Sequence, residues 1–219
     1  MDYKNISKKN LNNHIDRLID ILDEIETGKI TILTGGNATG KSVIRKLLSC
    51  HLMKKLGCDK SVVSSISMQM RVNTPGSLLG TGLDSIMKDL PWESTSEHTV
   101  CLLEGLLDVF NESEGNGGKR FLVIDELETG MSKEVQTGTC LWLNGILDPE
   151  TVRDKTYGVL LITHSDTVVR TIRHDKFINI DGMTEEEWLN REIVPVTPDE
   201  LKNWSSALYA AIGKREKKK

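Results

Sequence analysis

Apolar residues recur along this chain at two spacings. Between residues 11 and 26, Leu11, Ile15, Leu18, Ile19, Leu22 and Ile25 fall at three- and four-residue steps with polar residues between them, the spacing of one face of an amphipathic helix. At Ile30-Thr31-Ile32-Leu33-Thr34 the pattern changes to a short, compact apolar run, and similar β-branched runs follow at 62–68, 121–124, 159–163 and 177–180. Runs of this length predict strands. Helix-compatible stretches at 43–48, 97–110, 132–147 and 165–173 separate them, and such alternation predicts an α/β fold with a mainly parallel sheet flanked by helices. Thr197-Pro198-Asp199-Glu200 joins an N-cap, a first-turn proline and a reciprocal acid, which starts a last helix over 198–213. Within 70–112, Leu78, Leu79, Leu83, Ile86, Met87 and Leu90 make the apolar face of a small helical lobe.

A chain of 219 residues is long enough to bury roughly 70% of its unfolded surface in one packed domain, so residues 1–219 are read as a single domain. The formal net charge of −4 at pH 7 leaves no domain-wide basic field, and direct nucleic-acid binding is not indicated by charge. The Lys-Arg-Glu-Lys-Lys-Lys ending at 214–219 reads as a solvated tail. Cys50, Cys58, Cys101 and Cys140 are scattered without metal-ligand spacing and read as reduced core thiols. There is no amino-terminal signal pattern and no apolar run near the roughly 18 residues of a membrane span, so a cytoplasmic protein is expected.

The chemistry concentrates behind three strands. Gly35-Gly36-Asn37-Ala38-Thr39-Gly40-Lys41-Ser42 matches G-x-x-x-x-G-K-[ST] without a mismatch, between a strand run and a helix run. The glycines at 35, 36 and 40 allow successive N–H groups to turn inward on phosphate, Lys41 adds a point charge, and the Ser42 hydroxyl is positioned for Mg2+. A bound nucleoside triphosphate follows. Phe121-Leu122-Val123-Ile124 runs into Asp125-Glu126, and a parallel strand delivers such acids to the edge where the loop lies. Asp125 then suits Mg2+, and Glu126 suits polarising the water that attacks the γ-phosphate. Val159 to Ile162 delivers Thr163-His164-Ser165 to the same edge, where an imidazole can bond the γ-phosphate or its water, while Ser165-Asp166 also reads as a helix start.

Together these residues resemble the ABC-type ATPase superfamily, in particular its soluble members related to the SMC, RecF and OLD-like proteins. The resemblance covers residues 30 to about 170 and implies a P-loop NTPase fold. The loop at 35–42 looks like Walker A, Asp125-Glu126 like Walker B with its catalytic glutamate, and His164 like the switch histidine. Leu127-Glu128-Thr129-Gly130-Met131-Ser132 is similar to the D-loop. Gln69 matches the glutamine that contacts Mg2+ and the attacking water, and reads equally as a polar strand end. Ser94-Thr95-Ser96-Glu97 is a weak match to the signature loop that faces the γ-phosphate across a dimer, with Ser94 and Ser96 as the contacting residues and Ser96 where glycine is the rule. The same four residues form a capping box. Family members carry an adenine-stacking aromatic before the loop, whereas this chain has a helix there and only Tyr3, so no residue is assigned to the base.

The resemblance implies ATP and Mg2+ as ligands and an ATP-dependent homodimer that switches a partner protein, in a DNA-repair, phage-defence or mobile-element setting. The alternatives are the nucleotide-binding subunit of an ABC transporter, which needs a clear signature and an adenine aromatic, and a small P-loop kinase, which needs an arginine-rich lid that Arg71 and Arg120 alone do not make. A GTPase is disfavoured by the lack of an Asn-Lys-x-Asp segment.

Overall fold

A computed structural model describes residues 7–37, 39–57, 63–67, 118–192 and 197–216. Five strands, β1 (Ile30–Thr34), β2 (Val63–Ser67), β3 (Arg120–Asp125), β4 (Thr156–Ile162) and β5 (Lys176–Asn179), form one sheet in the order β2-β3-β4-β1-β5. Every pairing is parallel. The helices of the described residues are α1 (Lys8–Glu24), α2 (Lys41–Leu56), α3 (Lys133–Ile146), α4 (Pro149–Lys155), α5 (Asp166–Thr171), α6 (Glu185–Leu189) and α7 (Pro198–Glu216). None of the described helices is long and apolar enough to cross a membrane.

Strand side chains alternate between faces, and here both faces are covered. Ile30, Ile32, Leu122, Ile124, Val159 and Leu161 point to a core shared with Cys140 and Leu143 of α3, Val152 of α4, Val168 and Val169 of α5 and Trp188 of α6. Leu33, Phe121, Val123, Leu160, Ile162 and Ile178 point the other way, onto Leu18, Ile21 and Leu22 of α1 and Ile44, Leu48 and Leu52 of α2. The expected α/β sheet flanked by helices is therefore present as three layers. Helix α7 adds to the α1 side, packing on α1.

Several local readings shift. Helix α1 spans residues 8–24 and buries Ile21, while Ile19 is 43% exposed. Ile15, Leu18, Ile21, Leu22 and Ile25 define its inner stripe, and Ile19 lies about 100° around the helix from Leu18. Helix α7 continues to Glu216, so the tail is helical for three residues past the expected end. The capping box that starts it is formed, with Thr197 N–H donating to Glu200 Oε2 at 2.9 Å and Glu200 N–H to Thr197 Oγ1 at 3.3 Å. Cys140 is a buried core thiol as expected, but Cys50 lies on the exposed side of α2. Cys58, Cys101 and the helical lobe at 70–112 lie outside the described residues.

Candidate nucleotide site

Strand order brings the three motifs together. β1 ends in the loop at 35–42, and β4 lies between β1 and β3, so His164 emerges between that loop and Asp125-Glu126. All three leave the carboxyl ends of parallel strands, the edge at which such sheets bind ligands. A cavity of about 210 Å³ opens there, lined by Asn37, Thr39, Gly40, Lys41 and Ser42 of the loop together with Glu126 and His164. Gly35 and Gly36 form the loop's entry, and Ala38 lies outside the described residues.

The loop is shaped by packing as well as by glycine freedom. Gly40 caps α2 with φ 104°, and a Cβ there would meet Leu18 Cδ1 at 2.8 Å. Gly35 and Gly36 are not in the positive-φ region that their type allows, so the expectation of three conformationally special glycines holds at Gly40 alone. At Gly35 the constraint is space, since a Cβ would stand 2.8 Å from Thr39 Oγ1. Gly36 N–H donates to Asp181 Oδ2 at 3.3 Å, and Thr39 Oγ1 donates to Gly36 O at 2.9 Å. His14 of α1 bonds the loop from behind, Nε2 to Thr39 O at 2.6 Å.

Lys41 is 7% exposed and its Nζ donates to Gly35 O at 3.1 Å and Gly36 O at 2.8 Å. Burial lowers its pKa to about 8, against the opposing pull of Glu126, Asp125, Asp181 and Glu128. A cation short of solvation and surrounded by carboxylates at a helix start is a strong electrostatic partner for phosphate.

Asp125 is buried, and Arg45 Nη1 donates to its Oδ2 at 3.0 Å. Arg45 follows Lys41 by one turn of α2, so loop and acid strand are tied through that helix. Glu126 is the one described non-glycine residue with positive φ, 55°. Its N–H donates to Ile162 O at 2.8 Å, which holds the turn against the end of β4. A left-handed glutamate costs on the order of 1 kcal/mol and persists where the surroundings over-determine it. Here that conformation accompanies a carboxylate facing the cavity.

His164 Nε2 stands 3.7 Å from Glu126 Oε1, beyond hydrogen-bond range. The charged pair that this proximity suggests is opposed by burial and then by Lys41 and Arg191, which together lower the imidazole pKa to about 4. Burial and two cations decide the matter: at pH 7 the ring is neutral and acts as a hydrogen-bonding group. Its backbone N–H donates to Glu128 Oε1 at 2.7 Å, so the segment following Glu126 fixes the end of β4. Ser165 starts a helix as read, accepting from Val168 N–H to cap α5, and His164 beside it lines the cavity.

Gln69, Ser94 and Ser96 lie outside the described residues. Glu128 lies in the D-loop-like segment, whereas Arg45, Asp181 and His14 carry no motif in the sequence; spacing from Lys41 marks Arg45, and Asp181 and His14 arrive from strands and helices remote in sequence. Ser205, Leu208 and Tyr209 of α7 also line the cavity. Among the described residues no group of three or more His, Cys, Asp or Glu side chains could hold a metal. Mg2+ held by one or two protein oxygens plus phosphate oxygens needs no such group, and Ser42 and Asp125 supply hard oxygen donors of the right kind.

No family model matches this sequence, and no curated protein matches it. Among solved structures, a chain in the structure of Drosophila ORC bound to AT-rich DNA and Cdc6 aligns at 14% identity and TM-score 0.37, over 83% of this chain and 29% of that one. A chain in the structure of Drosophila ORC bound to GC-rich DNA and Cdc6 aligns at 13% identity and TM-score 0.39, over 82% of this chain and 30% of that one. This chain thus spans under a third of the length of either. The fold is an α/β P-loop NTPase fold, by its all-parallel sheet, its flanking helices and the loop that joins β1 to α2.

Proposed function

We propose that this protein is a Mg2+-dependent ATPase of the ABC type, which hydrolyses ATP to ADP and phosphate and uses the cycle to switch a partner protein. The observation that carries the reading is the convergence of Lys41, Glu126 and His164 on one cavity at the carboxyl edge of the sheet. The loop N–H groups and Lys41 bind the β- and γ-phosphates, Ser42 and Asp125 hold Mg2+, and Glu126 accepts a proton from the attacking water. His164, neutral at pH 7, donates or accepts one hydrogen bond at the γ-phosphate or the water. Gln69 is proposed to join Mg2+ and water, with Ser94 and Ser96 of a second copy contacting the γ-phosphate. Binding ATP then joins two copies, and loss of the γ-phosphate releases them.

Glu126→Gln tests this scheme. The amide keeps shape and loses basicity, so the variant is expected to bind Mg-ATP within a few-fold of the unaltered chain and to accumulate as a dimer, read by light scattering at saturating ATP. A Glu126→Gln variant that stays monomeric with ATP bound contradicts the ATP-dependent homodimer.

A further inference from the structure

We propose that Tyr209 of α7 is the nucleobase platform of this site, stacking on the base of the bound triphosphate, with Ser205 offering its hydroxyl to the base edge. This inference rests on the nucleotide reading above. The residues 7–37 contain no Phe, Tyr or Trp, yet a base needs an apolar face to cover its rings once its phosphates are fixed at Lys41.

Lys41, Ser42, Glu126 and His164 line the cavity, and Ser205, Leu208 and Tyr209 of α7 line it with them. Tyr209 lines the cavity and is 50% exposed, which leaves ring area for a stacked base to cover. Its neighbours on α7 are the opposite: Trp204 and Leu208 are 2% and 1% exposed. Those two anchor the helix, so Tyr209 is presented from a rigid element. Ser205 precedes Tyr209 by four residues and so shares its side of the helix.

Contacts already present link α7 to the phosphate loop. His14 meets Trp204 edge to face, with centroids 5.6 Å apart, and the same imidazole bonds Thr39 O in the loop. His14 of α1 thus bridges α7 and the loop. Stacking recognises the π-face that all bases share, so the platform raises affinity for ATP and GTP alike.

Inorganic tripolyphosphate carries the phosphates without a base and so separates phosphate binding from base stacking. Isothermal titrations with Mg-ATP, Mg-GTP and Mg-tripolyphosphate would compare the unaltered chain with Tyr209→Ala and Tyr209→Phe. Tyr209→Ala is expected to weaken both nucleotides by about 5- to 150-fold and to leave tripolyphosphate within about twofold. Tyr209→Phe should retain nucleotide affinity. An equal loss for all three ligands, or unchanged nucleotide affinity in Tyr209→Ala, overturns the platform. Failure of the unaltered chain to bind tripolyphosphate and ATP alike overturns the phosphate-site reading itself.

Discussion

Glu126 combines a backbone cost with a side chain that lines the cavity. Its φ of 55° is one that glycine adopts without penalty, so Glu126→Gly should leave thermal stability unchanged or raise it by up to about 1 kcal/mol while turnover disappears. A large fall in the melting temperature would mean that the side chain, and not the surrounding fold, holds the turn. Lys41 gives a pH prediction. Its folded pKa of about 8 lies below its ordinary value of 10.5, and a bound triphosphate favours the charged form and raises it again. Binding therefore takes up a proton, and ATP affinity should be highest below pH 8 and fall as pH rises through and above 8. The same depressed pKa makes the fold itself gain stability between pH 8 and 10.5, where the unfolded chain holds the proton longer. Titrations of ATP at pH 7, 8 and 9 check the first point; constant affinity across them contradicts it. His164, lowered to about 4, should contribute no inflection near pH 6.5 to the kcat/KM profile, which reports the ligand-free protein.

At the scale of elements, α1 and α2 do more than cover the sheet. Leu18 of α1 is 1% exposed and occupies the space that a Cβ at Gly40 would need. Leu18→Ala should cost about 2–5 kcal/mol by the cavity it leaves, measured by denaturant unfolding. Gly40→Ala fails for a different reason, because φ 104° and the contact with Leu18 both exclude a methyl group; tripolyphosphate binding should be lost even if the fold persists. The strands were legible in sequence because both faces are buried, which leaves unbroken apolar runs such as 121–124. Helix α4 was missed although Asp148-Pro149-Glu150 repeats the start signal read at Thr197-Pro198: Asp148 accepts from Glu150 and Thr151 N–H groups. Seven residues give too little periodicity to see. Helix α6, five residues behind the Thr184–Glu187 capping box, was missed for the same reason. A three- and four-residue stripe admits Ile19 as readily as Leu18, and only the packed partner decides.

For the whole molecule, the order β2-β3-β4-β1-β5 makes the site. The motif residues were legible because each chemistry-bearing group follows directly on a strand. Their supports were not, since Arg45 to Asp125, Asp181 to Gly36 and Glu128 to His164 are pairings across 80, 145 and 36 positions of sequence. Arg45 illustrates the cost of such a support: removing it leaves the buried Asp125 carboxylate short of its cation, and Arg45→Met should destabilise the chain by about 3 kcal/mol or less, given that Arg45 retains some solvent contact. Helix α7 closes the assembly, arriving from the far end of the chain to line the same cavity as the loop.

The claim on which all of this rests is that the cavity between Lys41 and Glu126 hydrolyses ATP. Phosphate release from Mg-ATP, followed for the unaltered chain and for Glu126→Gln under identical conditions, tests it directly. Steady release by the unaltered chain that falls at least a hundredfold in Glu126→Gln, with ATP binding retained, is the expected result. Equal rates in the two proteins, or no release by the unaltered chain at saturating Mg-ATP as monomer or dimer, would contradict it.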